Sequence, residues 1–341
     1  MRRREFLIQA AAVAGIASTR RVWAQGGTPA KVKQSTLDRI AIMTLNFQSM
    51  LRLPDLPEGP QRTLELFDVP QMLADHYGVH KVEFQHYHIP STEPSYLKEL
   101  RSRIEKHKSR MTQINLEFGQ LNMSAPELRN RLMAIDLTKM WVDHAVMLGA
   151  QRVMINQGQP THENKAYGIP TLKAMADYGK SKGIIVSVET RGGGGGRGRG
   201  AAGAAPGAAA GAARGAAPTA PPPAAAALGA APAAAPPSPP ELTGPARWML
   251  LAEIIKDAGA YSNVDVGGAG AANQQELHAC LKTLFPMTAG SMHTRVNVNW
   301  DLATAIKFLE GELGYKGLYT IEAGNGHEGT QPIYDVVVAT L

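Results

Sequence analysis

PTLKAMADYGKSKGIIVSVE, residues 170–189, is the stretch on which the fold turns. Residues 170–182 read as a helix, Gly183 punctuates it, and residues 184–189 form a short apolar, β-branched run that reads as a strand ending on a carboxylate, Glu189. The same alternation extends in both directions. Toward the N-terminus, strands are expected at 39–47, 80–84, 111–117 and 151–155. Between them fall helices at 69–77 (Asp68 as N-cap, Gly78 at its end), 94–108 and 126–148. In the last of these Leu137, Trp141, Ala145 and Leu148 share one face. Toward the C-terminus, strands are expected at 263–266, 288–293 and 317–322. The helices there fall at 244–257 (capped by Thr243), 273–284, 300–312 and, rather short, 330–341. Eight strand–helix repeats predict an α/β fold, a single-domain parallel (β/α)8 TIM barrel spanning 39–341. An open doubly wound sheet would show a glycine fingerprint after the first strand, where Leu45-Asn-Phe-Gln-Ser-Met50 stands instead.

Of the 341 residues 44% are hydrophobic, enough for a sizeable core and too many for a disordered chain. The net charge of +6 is unevenly spread. Residues 1–24 carry +4, and the segment 191–240 another +4 with no acid, which leaves −2 for the rest. A nucleic-acid surface needs basic residues on the fold itself, so the charge distribution argues against such a partner. No apolar run reaches the roughly 20 residues of a membrane span, so stable membrane insertion is not expected. The lone cysteine, Cys280, excludes an internal disulfide framework and a Cys-rich zinc module.

Residues 1–24 join an arginine-rich start, a short apolar stretch and Val22-Trp-Ala24, a small-residue cleavage site. Arg3-Arg4-Glu5-Phe6-Leu7 matches the twin-arginine export pattern. The expectation is a signal peptide read by the twin-arginine export machinery, a mature chain starting near Gln25, and a periplasmic location. Residues 192–240 are almost entirely Gly, Ala and Pro. They predict a disordered, low-complexity insertion after the fifth strand, since there is little bulky apolar surface to offset the entropy of ordering.

Catalytic groups of a barrel gather where strands end. The last four strands end on Glu189, Asp265, His293 and Glu322. Any one of these would pass for a helix cap or a packed polar residue. All four in strand order make an oxygen-rich set with a net charge of −3 if the histidine is neutral. Such a set suits one divalent ion, Mn²⁺, Mg²⁺ or Co²⁺, and would also accept Zn²⁺. Further pocket candidates are Glu83, His86 and His88 after strand two, with His86 and His88 on one side of an extended chain. Glu117 after strand three, Gln157 after strand four, Arg295 and His327 complete the group.

The segments VSVET, NVDVGG, SMHTR and YTIEAG resemble the four ligand segments of the xylose isomerase-like barrels, the sugar phosphate isomerase/epimerase family, and Val82-Glu-Phe84 resembles its second strand. The resemblance covers residues 39–335 apart from the tract. It implies that Glu189, Asp265, His293 and Glu322 bind the metal. It also implies that Glu189 and Glu322 exchange a proton with the substrate. The chain departs from the family after Asp265, where Val266-Gly-Gly replaces a His or Asn, and after Glu189, where Thr190-Arg191 replaces Asn-His.

The function expected is a metal-dependent sugar isomerase or epimerase acting on a small carbohydrate through an enediolate. Arg295, His86, His88 and Glu117 would contact substrate. For Arg295 a solvent-facing salt bridge is the competing expectation. The same site could drive β-elimination as a lyase of 3-keto-glycosides, or bind an exported sugar without turnover. An endonuclease-like barrel fits poorly, because such sites use three zinc ions and many more histidines.

Overall fold

The computed structural model describes residues 32–54, 58–118, 121–156, 158–190, 242, 244–267 and 270–341. The expected signal peptide, the Gly/Ala/Pro tract, Gln157 and Thr243 lie outside the described residues.

After one helical turn at Gln34–Leu37, the chain alternates strand and helix eight times. The strands are β1 (Ile40–Met43), β2 (Lys81–Gln85), β3 (Arg110–Leu116), β4 (Arg152–Asn156), β5 (Ile185–Thr190), β6 (Tyr261–Asp265), β7 (Thr288–Thr294) and β8 (Leu318–Ile321). The helices that follow them are α1 (Val69–Tyr77), α2 (Pro94–Lys106), α3 (Leu128–Leu148), α4 (Lys165–Ser181), α5 (Gly244–Ala258), α6 (Gln274–Leu284), α7 (Leu302–Gly311) and α8 (Gly326–Thr340). All strand pairs are parallel and follow chain order, and β8 closes on β1 through Ile40↔Tyr319, Ala41↔Thr320 and Ile42↔Ile321. This is the single-domain (β/α)8 barrel that the alternation predicts. Among the described residues, no helix is long and apolar enough to cross a membrane.

The strands are buried on both faces, as parallel strands under a helical layer must be. Helix α7 shows how the outer layer is fixed. Leu302, Ala305, Ile306 and Leu309 recur at helical spacing and are all buried. Each large side chain so buried contributes about 1.5–3 kcal/mol. The Asp301 carboxylate accepts the Thr304 N–H at 2.6 Å and caps the first turn.

Several boundaries differ from expectation. The first strand stops at Met43, and Thr44–Phe47 is a 3-10 turn. Asp68 does not cap α1 with its side chain, because Leu66–Asp68 is itself a 3-10 turn. Helix α4 begins five residues before Pro170, which then costs one backbone hydrogen bond near the helix start. Helix α8 begins at Gly326 and carries Pro332 inside it, so it is not the short helix expected. On α3, Trp141, Ala145 and Leu148 are buried, whereas Leu137 is only half-buried.

One face of the strands is unusually polar. Glu83 and Gln85 on β2, Gln113 and Asn115 on β3, Ser187 and Glu189 on β5, Asn263 and Asp265 on β6, and Ser291 and His293 on β7 recur at period two and are buried. Hydrogen bonds that Glu83 accepts from β8 and β7, two and three strands away around the closed ring, identify that face as the bore of the barrel.

Candidate metal centre

His293 is the centre of the site. Its register on β7 places it beside Asp265 of β6 and Thr320 of β8. The ladder continues past the strand ends: Val266 N–H donates to the His293 carbonyl (2.9 Å) and Glu322 N–H to the Thr294 carbonyl (3.0 Å). These bonds fix the backbone of the ligand-bearing residues rather than leaving them on loops.

The Nε2 of His293 lies 3.2 Å from Glu83 Oε2. Glu83 also accepts hydrogen bonds from Thr320 Oγ1 (2.5 Å), Ser291 Oγ (3.0 Å) and Gln113 Nε2 (3.1 Å). Burial pushes the Glu83 pKa up, but these donors, His293 first, hold it below the usual carboxylate range. An anionic Glu83 therefore accepts a hydrogen bond from Nε2–H and leaves Nδ1 facing the opposite side. There Nδ1 lies 3.1 Å from Glu322 Oε2 and 3.5 Å from Glu189 Oε1. One ligand atom from each of Glu189, His293 and Glu322 falls within 4.8 Å of the others, and all three residues are buried. Burial disfavours a charged imidazole, yet the carboxylates of Glu189, Glu322 and Glu83 raise its pKa well above the ordinary value.

This donor set fits a divalent ion. Two carboxylates and one imidazole nitrogen are oriented by a carboxylate behind the imidazole, the arrangement that fixes ring orientation in metal sites. Counting Glu83 and Asp265, four buried carboxylates face one imidazole and one guanidinium, an excess of negative charge that a divalent cation would offset.

Asp265 is placed differently from the other three. Both of its oxygens are held by Arg295: Nε donates to Oδ1 at 3.1 Å, and Nη2 donates to Oδ2 in a very short contact. Burial, with repulsion from Glu322 and Glu189, raises the Asp265 pKa against the pull of Arg295. The Arg295 pKa is raised, burial being outweighed by Asp265 and Glu322. Arg295 thus makes a salt bridge to a buried aspartate rather than one that faces solvent, and its Nη1 is 3.8 Å from Glu322 Oε1.

The residues after strand two do not form an extended chain. His86–His88 is a 3-10 turn, so the strand alternation that would put both histidines on one side does not apply. His86 turns toward β3, where its Nδ1 accepts from Glu117 N–H at 3.1 Å and its ring packs edge-on against Phe118 and Trp141. His88 turns back over β1, with Nδ1 2.8 Å from Thr44 Oγ1. Burial holds His86 down at about 4 and His88 at about 3, so both are neutral. Glu117 is half-buried, one residue past β3, and outside the trio. His327 lies beside Tyr77, 2.9 Å from its hydroxyl, stacked near His76 and Phe47. Unforeseen are the amides of the bore. The Gln85 side chain, Asn115 Nδ2 and His88 Nε2 are buried with no hydrogen-bond partner among the described residues.

No protein-family model and no curated protein matches the chain. Solved structures do. A D-psicose 3-epimerase from Clostridium cellulolyticum H10 superposes with a TM-score of 0.58 at 10% identity, over 87% of this chain and 89% of that one. A xylose isomerase domain protein from Planctomyces limnophilus gives 0.55 at 14% identity, over 88% and 94%. A 3-keto-D-glucoside 4-epimerase from E. coli gives 0.56 at 9% identity, over 89% and 99%. The chain shares the barrel of these xylose isomerase-like proteins along nearly its whole length.

Proposed function

We propose that the protein is a divalent-metal-dependent sugar isomerase or epimerase. The observation that carries this reading is the convergence of buried Glu189 and Glu322 on one nitrogen of His293, whose other nitrogen is held by Glu83. The epimerases that share the fold support it. Glu189, His293 and Glu322 would hold the ion, with Mn²⁺, Mg²⁺ or Co²⁺ favoured by the oxygen-rich donors and Zn²⁺ accommodated. When bound, the ion would polarise a substrate carbonyl and a neighbouring hydroxyl, acidifying the carbon between them.

Glu189 and Glu322 come from strands separated by β6 and β7 and reach the same point. One, ionised, removes the proton from the carbon beside the carbonyl. The other, protonated, returns a proton to the enediolate so formed, and the roles exchange in the reverse direction. Arg295 has spare donors after its two bonds to Asp265 and would orient a substrate oxygen. His88 Nε2 and the amides of Gln85 and Asn115 offer donors and acceptors to sugar hydroxyls. The protein would work in the periplasm after removal of residues 1–24, with a non-phosphorylated sugar or oxidised glycoside as substrate.

The test is the chain lacking residues 1–24, assayed for bound metal and for conversion of a panel of ketoses, aldoses and 3-keto-glycosides. About one ion per chain, lost in Glu189→Gln/Glu322→Gln, together with formation of an isomer, is the expected result. Glycosidic cleavage instead would make it a lyase. Tight sugar binding without conversion would make it a binding protein. No metal after incubation with Mn²⁺ would end the mechanism.

A further inference from the structure

We propose that Arg295 removes Asp265 from the metal-binding set, so that the centre binds its ion through Glu189, His293 and Glu322 alone. This rests on the metal reading above and refines it. Both Asp265 oxygens are engaged by the guanidinium fork, the strongest pairing available to a carboxylate. The cluster of ligand atoms within 4.8 Å of one another contains the other three residues and not Asp265. The guanidinium also reaches toward the trio, with Nη1 3.8 Å from Glu322 Oε1.

The arginine has a place built for it. A Cβ on Gly267 would lie 1.9 Å from Arg295 Cγ and 2.8 Å from its carbonyl oxygen. Only glycine at 267 leaves room for the arginine stem. Asn297 Nδ2 donates to the Gly267 carbonyl at 2.8 Å and holds that backbone in position. The segment after Asp265 and the arginine after His293 are therefore one device: the first is stripped of a side chain so that the second can fold over the aspartate. For Asp265 to reach an ion it would have to give up both bonds to a half-buried guanidinium, which is unfavourable. A three-residue set leaves the remaining coordination of the ion to substrate and solvent, as in catalytic metal sites. It also predicts weaker, more exchangeable metal binding than four residues would give.

The experiment is titration of Mn²⁺ into the chain lacking residues 1–24, stripped with chelator. It compares wild type, Glu189→Gln, Arg295→Met and the charge-neutral double variant Asp265→Asn/Arg295→Met, with folding checked by circular dichroism. Glu189→Gln should weaken binding by about a hundredfold or more. The double variant should stay within about threefold of wild type, because a neutral pair replaces a neutral pair and no ligand is lost. Arg295→Met alone should bind about tenfold tighter or more, because Asp265 is released to the ion. If that variant fails to fold, the double variant decides alone. A double variant that loses as much as Glu189→Gln overturns the proposal and leaves the metal reading standing. A wild type that does not bind Mn²⁺ overturns both.

Discussion

Acid should unfold this protein through two histidines at the end of β2. His86 and His88 are held neutral by burial, at about 4 and about 3, whereas in an unfolded chain they titrate near 6.5. Their folded values are depressed, so their contribution to stability is fully present above about pH 6.5. It is lost as the pH falls toward the folded values, because only the unfolded chain takes up the protons. With two protons at stake, the slope between about pH 6 and pH 4.5 is about 2.7 kcal/mol per pH unit. By pH 5 each histidine has cost about 2 kcal/mol, about 4 kcal/mol together, a large share of the 5–15 kcal/mol typical of a folded domain. His293, with a raised folded value, adds a smaller slope of opposite sign near pH 6.5 that fades by about pH 5.5, where the unfolded chain is protonated as well. The assay is urea unfolding at pH 7.5, 6.5, 5.5 and 5.0 in chelator, for wild type and His86→Asn. Wild type should lose stability at the two-proton slope or more steeply, since burial also holds His327 down at about 4, and His86→Asn should be shallower than wild type by about one proton. A wild-type stability that is flat from pH 6.5 to 5.0 would refute the burial argument for both residues.

Three further outcomes are expected. Glu189→Gln and Glu322→Gln, made singly, should each lower turnover of whatever sugar is converted by at least about a hundredfold, the usual contribution of a positioned acid or base; a variant retaining a third of wild-type kcat would remove that residue from proton transfer. His293, kept protonated by the three carboxylates around it, should release close to one proton per Mn²⁺ bound at pH 7, seen by calorimetry in two buffers of different ionisation enthalpy; equal heats in both buffers would contradict the assignment of Nδ1 as the ligand. Asp301→Ala should cost about 1 kcal/mol through loss of the cap on α7, measured as a lower urea midpoint, and an unchanged midpoint would show that packing of Leu302, Ile306 and Leu309 fixes that turn without help.

The barrel was legible because its signal is local. Each strand is an apolar run a few residues long, and the residue that ends it is polar, so Glu189, Asp265, His293 and Glu322 announce themselves by position. What shifts by a residue or two is set by the ladder, which the sequence does not display. Glu322 sits just past β8 but is held by Thr294 across the gap. Pro170 looked like a helix start because a proline is tolerated in the first turn, yet the helix begins five residues earlier at the expense of one bond. His86 and His88 were read by strand alternation, which lapses once the chain turns into a 3-10 segment. The Glu83–His293 contact joins residues 210 apart in the chain and depends on closure of the barrel. A signal for it existed: Glu83 and Gln85 on β2, and Gln113 and Asn115 on β3, alternate polar with apolar inside strands that should be buried on both faces.

That polar bore also separates the roles of the carboxylates. Burying a charge is costly unless it is paired, so each acid in the bore must be accounted for. Glu83 is matched by His293 Nε2 and three further donors. Asp265 is matched by both arms of Arg295, in a space that Gly267 keeps open. Glu189 and Glu322 both approach the other nitrogen of the same imidazole, and Glu322 Oε1 also lies 3.8 Å from Arg295 Nη1. Two carboxylates that meet at one nitrogen repel each other, and a cation or a proton between them would relieve that. The two acids proposed to carry the chemistry are therefore set apart from Glu83 and Asp265 by their convergence on one point.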